Sequence, residues 1–236
     1  MVQINLKGDV LDNFTASFLT KYLGMDTISP QQVSDALDKC KPDDTLDINL
    51  SSPGGDVTAG SEIYTMLRQS NTPININVIG MAASSASLIA MAGDKVNISP
   101  TGQMMIHKCS TSFSGNSDDL NVVLSSMNKT DQSIAQAYQL KTGMSQADVL
   151  KMMSDTTFMT AQDAVDNGFA DNIMFSEDKN KPLMTASINT IPSHEAIEKM
   201  MAMMKEKDNK SKSNVNKKPT SSLKDEKLAI FMDTFK

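Results

Sequence analysis

An α/β fold follows from three features of this sequence: short runs with period-two alternation, helical periodicity in the segments between them, and turn residues at each change of period. Asp47–Leu50 and Ile74–Ile79 alternate apolar and polar side chains, as half-buried strands do. Gly60–Gln69 and Ser84–Met91 repeat their apolar residues at helical spacing and each follows a turn signal. Met104-Met105-Ile106 is a short apolar run that reads as a buried strand ending in His107. From Asn116 to Lys141 the spacing is helical again, with Leu120, Val123, Leu124, Met127, Ile134, Ala135, Ala137 and Tyr138 spread over more than one face. Strands alternating with helices imply parallel pairing through crossovers, and in such sheets ligands bind beyond the carboxyl ends of the strands.

Composition narrows the function. The 236 residues, 39% hydrophobic, can bury one sizeable core. A net charge of −6 and a single arginine, Arg68, argue against nucleic acid, whose phosphates need a basic face, and leave proteins or peptides as partners. The two cysteines, Cys40 and Cys109, are too few for a disulfide framework, and no Cys/His cluster has metal-ligand spacing, so no metal and no cofactor are expected. The N-terminus lacks a basic region followed by an apolar stretch, and the most apolar run, Ala86–Ala92, is too short to span a bilayer. No membrane association and a cytoplasmic location are the expectation.

The chain changes character near Ser176. Residues 177–236 carry 12 Lys against 9 Asp and Glu, a net of +3, which leaves residues 1–176 with 10 basic and 19 acidic side chains, or −9. The expected organisation is therefore a domain over 1–176 and a Lys- and Met-rich tail over 177–236. The tail's Lys/Asn/Ser stretch offers little to bury and reads as a flexible linker between two short helices, Ser193–Lys207 and Ser222–Phe235.

Two segments leave strands and carry the candidate chemistry. In Ser51-Ser52-Pro53-Gly54-Gly55-Asp56 the consecutive glycines permit positive φ and let a substrate backbone approach amide N–H groups, although the same residues make an ordinary strand-to-helix turn. In Gly80-Met81-Ala82-Ala83-Ser84-Ser85-Ala86-Ser87, small residues clear space around Ser84 at a helix N-terminus, where free N–H groups favour developing negative charge. A serine there also serves as an N-cap, and the segment lacks the Gly-x-Ser-x-Gly of hydrolase elbows. A nucleophilic serine needs a base, and of the two histidines His194 lies in the tail while His107 ends a strand.

These residues resemble a known family. INLSSPGGDVTAGSEIYTML, VIGMAASSASLIAMAG, GQMMIH and FMTAQDAVDNGFAD look like the Clp peptidases in order and spacing, covering roughly residues 45–175. The N-terminal INLKGDVLDNF and the segment LTKYLGMDTISPQQVSDALDKC look more like the phage head-maturation (prohead protease) branch. The resemblance implies a crotonase-type fold of repeated β-β-α turns and a Ser-His-Asp triad. By position, Ser84 matches the nucleophile and His107 the base, while Gly55 and Ser85 match the amide donors of the oxyanion hole. The sequence departs from the family at the third member: the acidic position falls on Thr156, one residue after Asp155; Asp155 is the expected triad acid, and the alternative is that Thr156 holds the His107 ring by a neutral hydrogen bond. Over Asn116–Lys141 the resemblance implies a long handle helix that interlocks rings, hence a ring-shaped homo-oligomer. Substrates would be capsid or scaffold proteins in the phage branch, with a location in the host cytoplasm or inside a procapsid. A chambered protease of the bacterial type would instead need an ATPase unfoldase. A crotonase-type acyl-CoA enzyme and a catalytically dead scaffolding member are the readings from other classes.

Overall fold

The computed structural model describes residues 1–176 and Lys199, and residues 1–176 belong to one compact unit, Met1–Asp178. Five parallel strands form its spine, in the order β1 (Val2–Lys7), β4 (Leu46–Ser52), β5 (Ile74–Ala83), β6 (Lys95–Ile98) and β9 (Asn172–Ile173). Period-two alternation has the expected physical result. Leu46, Ile48, Leu50, Ile74, Ile76, Val78, Val96 and Ile98 are buried on one face of the sheet. The residues between them form an asparagine ladder: Asn49 donates to Asn5, Asn77 to Asn49, Asn97 to Asn77 and Asn172 to Asn97. Each amide thus finds its partner on the neighbouring strand, at the same register position.

Strand β5 is longer than its alternation suggests, because it has two successive partners. Residues 75–78 pair with β6, and residues 81–83 pair in parallel with β7 (Gln103–Ile106), which in turn pairs antiparallel with β8 (Thr157–Thr160). The sequence places the strand end at Ile79; the ladder with β7 instead carries it to Ala83, directly before Ser84. A register shift in β4 between Leu50 and Ser52 accompanies this change of partner.

The helices complete the core. After a two-stranded pairing of β2 (Asp9–Val10) with β3 (Thr27–Ile28), which flanks α1 (Asn13–Phe18) and a π-helical turn over Leu19–Leu23, comes α2 (Pro30–Leu37). Helix α2 starts from a Ser29/Gln32 capping box with Pro30 in its first turn. Helix α3 (Val57–Gln69) is capped by Asp56, whose carboxylate accepts the Ala59 N–H at 2.8 Å, and it buries Ala59, Gly60, Ile63 and Leu67. Helix α4 (Ser85–Ala90) is buried along its whole length. The 26-residue α5 (Ser117–Thr142) begins at an Asn116/Asp119 capping box and ends at Gly143 in the left-handed region. Its burial is uneven: Leu120, Val122 and Leu124 are exposed, whereas Ile134, Ala135, Ala137 and Tyr138 enter the core. Helices α6 (Gln146–Ser154) and α7 (Ala161–Asp166) flank β8. A mixed α/β architecture with a parallel sheet is thus established, and it is consistent with a Clp-like fold. The linker and helices expected within 177–236 lie outside the described residues.

Candidate active site

Strand β5 and helix α4 meet at Ser84, and the junction is strained. Ser84 has φ 54° and ψ −127°, one of three non-glycine residues with positive φ among those described, the others being Thr156 and Phe175. Such a conformation costs on the order of 1–3 kcal/mol and persists only where its surroundings enforce it. Here the Ser84 N–H donates to Met105 O at 2.9 Å, continuing the β5–β7 ladder. The Ser84 carbonyl accepts from the Ser87 N–H at 2.9 Å, from the Leu88 N–H at 3.3 Å and from Ser87 Oγ at 2.6 Å.

The parallel pairing of β5 with β7 also brings the exit of β7 beside that of β5. His107 follows Ile106 directly, and its Nε2 lies 2.8 Å from Ser84 Oγ. For Nε2 to accept the hydroxyl proton, the ring proton must sit on Nδ1. The bond to Ser84 is the only one the His107 ring makes among the described residues. Both residues are half-buried, so the pair is screened from bulk water yet reachable.

The glycine loop packs against this junction. Ser52 Oγ accepts the Gly54 N–H at 3.0 Å, Val10 N–H donates to Gly54 O at 2.9 Å, and Asp56 N–H donates to Val10 O at 2.7 Å. Gly54 (φ 99°) runs so close to the serine that an added Cβ would stand 2.6 Å from both Ala83 O and Ser84 Cβ. At Gly55 (φ 147°) a Cβ would stand 2.2 Å from Val10 O. Only glycine fits either place. Gly55 N–H donates to no acceptor among the described residues, and Ser85 N–H, first in α4, has no intrahelical acceptor. Ser85 Oγ is buried without a partner.

Asp155 sits at the C-terminal cap of α6, more than half exposed, and its carboxylate is held by Lys151 Nζ at 2.6 Å. That ion pair raises the Lys151 pKa above its ordinary value. Thr156 follows with φ 51°; it directly precedes Thr157, whose pairing with Ile106, the residue before His107, closes the β7–β8 ladder. Lys108 N–H donates to Met153 O at 3.1 Å, fastening the chain after His107 to the end of α6. The structure thus brings Ser84, His107 and the glycine loop together and leaves Asp155 engaged elsewhere.

Behind the pair, Val57, Leu88, Cys109, Ile134 and Tyr138 line a small, largely apolar pocket with Ser84, Ser85 and His107. Burial, with Asp131 beside it, pushes the Cys109 thiol up to about 11, so it is neutral and a poor nucleophile at ordinary pH. Sequence reasoning did not single out Asp131, because an acidic residue on a helix rich in polar residues reads as solvated; it is 5% exposed. Among the described residues no group of three or more His, Cys, Asp or Glu side chains could hold a metal ion. No helix among them is long and apolar enough to cross a membrane.

Against known proteins, the profile of the family described as Clp protease matches residues 25–177. The chain belongs to the Clp protease family. Its relatives in that family include an ATP-dependent Clp protease proteolytic subunit of Deinococcus radiodurans, 31% identical over 147 residues, or 61% of this chain and 72% of the relative. A Ligilactobacillus salivarius protein of the same description is 30% identical over 180 residues, covering 75% of this chain and 85% of the relative. The ATP-dependent Clp protease proteolytic subunit 1 of Chlamydia abortus is 31% identical over 144 residues, covering 59% of this chain and 75% of the relative. The Clp protease match spans every candidate site residue, from Gly55 to Asp155.

Proposed function

We propose that this Clp protease family member is a serine endopeptidase with Ser84 as nucleophile and His107 as general base. The observation that carries the reading is the 2.8 Å contact between His107 Nε2 and Ser84 Oγ at adjoining strand exits, with the hydroxyl on a strained turn. In the reaction His107 takes the Ser84 proton as Oγ attacks a peptide carbonyl, and the imidazolium then protonates the leaving amine. Water then attacks the acyl carbon as His107 takes its proton, and His107 returns that proton to Ser84 Oγ as the acyl–Oγ bond breaks and the acid leaves. The amides of Gly55 and Ser85 are the donors proposed for the oxyanion. One such donor contributes about 3–4 kcal/mol of transition-state stabilisation, so the glycine loop matters as much as the side chains.

Asp155 is the carboxylate we assign to orienting His107 Nδ1–H. Its present partner is exposed Lys151, and water and salt screen a surface pair of that kind, so releasing the carboxylate is cheap. Substrates are proteins or peptides, with capsid or scaffold proteins of a phage as the finer proposal, carried by the N-terminal resemblance described above. The names of the relatives, ATP-dependent Clp protease proteolytic subunits, favour a second reading, a proteolytic subunit whose activity depends on ATP and so on a partner ATPase. Labelling with a fluorophosphonate tests the chemistry: the wild-type chain should react at one serine and Ser84→Ala should not. Absence of wild-type labelling would favour a catalytically dead scaffolding member. Co-expression with a candidate major capsid protein, in the absence of any ATPase, should yield Ser84-dependent cleavage in the phage setting; cleavage only with an added ATPase would select the second reading.

A further inference from the structure

One face of α5 holds Ser87, which bonds the Ser84 carbonyl, and Cys109, two residues beyond His107, and neither bond is part of the proposed proton transfers. Ser87 is fully buried, and its hydroxyl lies 2.6 Å from the Ser84 carbonyl and 2.8 Å from Tyr138 Oη. A carbonyl only accepts, so the Ser87 proton goes to Ser84 O and Tyr138 O–H donates to Ser87 Oγ. The relay runs from Tyr138 on α5, through Ser87 on α4, to the backbone oxygen of the strained serine. Tyr138 is 1% exposed and packs against Phe169 with ring centroids 5.6 Å apart, a role a phenylalanine ring would fill equally well. Burying two hydroxyls has no packing advantage over apolar replacements, which points to what they hold in place.

Two helical turns earlier on the same face, Asp131 Oδ1 accepts the Cys109 N–H at 2.8 Å. Cys109 is two residues beyond His107, so a buried carboxylate pins the strand exit that delivers the imidazole. Ile134, between the two, walls the pocket beside Ser84 and His107.

We propose that Tyr138 and Asp131 are positioning residues for the catalytic pair: Tyr138 fixes the Ser84 backbone through Ser87, and Asp131 fixes the His107 segment through the Cys109 amide. This rests on the hydrolase reading above. It makes α5 the bracket that sets the distance between nucleophile and base, so a displacement of its buried half would part the pair.

The test compares full-length wild type, Ser87→Ala, Tyr138→Phe, the double variant, Asp131→Asn and Asp131→Ala. The readout is saturation kinetics of fluorophosphonate labelling, normalised to the folded fraction by circular dichroism. Tyr138→Phe and Ser87→Ala should each lower the maximal labelling rate about tenfold with the half-saturating probe concentration unchanged. The double variant should fall no further than either single one, because both cut the same relay. Asp131→Asn keeps the acceptor oxygen and should label within about threefold of wild type, while Asp131→Ala should lose tenfold or more. Should one relay variant fail to fold, the other decides. Wild-type labelling rates in the folded relay variants, or a double variant as slow as the product of the singles, would overturn the Tyr138 assignment. Asp131→Asn as impaired as Asp131→Ala would overturn the tether. A wild type that does not label at all refutes the hydrolase reading instead, which keeps the two failures apart.

Discussion

At the scale of single residues, Ser84 carries the conflict between stability and chemistry. Its φ of 54° and ψ of −127° lie where side chains are disfavoured, and its position is fixed by its own N–H bond to Met105 O and by the bonds its carbonyl accepts from Ser87 and Leu88. Glycine adopts such angles without strain, so Ser84→Gly should be more stable than Ser84→Ala by about 1 kcal/mol in urea unfolding, the reverse of the usual order. Equal or lower stability of the glycine variant would mean that the backbone there is not strained. For the third member of the triad, Asp155→Ala should reduce peptide turnover far more than Thr156→Ala. Typical general-base assistance of 10²- to 10⁴-fold bounds the loss from a misoriented His107. The opposite order would move the orienting role to Thr156, which adjoins the Ile106–Thr157 end of the β7–β8 ladder.

At the scale of elements, the glycine loop shows how local sequence produces the site. Ser52 turns the chain by accepting the Gly54 N–H, Val10 clamps both sides of Gly55, and Asp56 starts α3. A Cβ on Gly54 would meet Ala83 O and Ser84 Cβ at 2.6 Å, both belonging to the nucleophile's own turn. Gly54→Ala should therefore destabilise the fold by roughly 2–3 kcal/mol and also depress labelling of the folded fraction, since relief of the clash displaces Ser84. A variant that loses stability but labels at the wild-type rate would show that the loop is scaffolding only. Much of this element was legible. Alternation gave β4 and the first half of β5, and the Pro-Gly-Gly gave the turn. The second half of β5 was not legible, because which strand pairs with Met81–Ala83 depends on β7, some twenty residues onward. Tyr138 was legible only as an apolar helix position, since its hydroxyl bond to Ser87 spans 51 residues. The positive φ at Thr156 has no sequence signal, because no glycine marks it.

At the scale of the whole molecule, the apolar residues that the fold leaves uncovered call for a partner. The first half of α5 exposes Leu120, Val122 and Leu124, with Val122 at 69%. Phe14, Phe18, Tyr22 and Leu23, around α1 and the π-helical turn, are exposed as well. Scattered surface hydrophobics need no explanation, but a half-helix that exposes Leu120 and Leu124 on one side and Val122 on the other leaves apolar surface around its circumference, as a helix flanked by more than one neighbour would. The second half of the same helix carries Tyr138 and Asp131 into the core beside the Ser84–His107 pair. Association through the exposed half would thus restrain the element tied to Ser84 through Ser87 and to the His107 segment through Cys109. The protein should sediment as a ring-sized oligomer, and the pair Val122→Glu and Leu124→Glu should dissociate it, because carboxylates cannot be buried unpaired in an apolar contact. Dissociated protein should keep its circular dichroism spectrum, since both positions lie outside the core, and should lose at least tenfold in peptide turnover. A monomer with undiminished turnover would separate assembly from catalysis and leave α5 with a purely internal role.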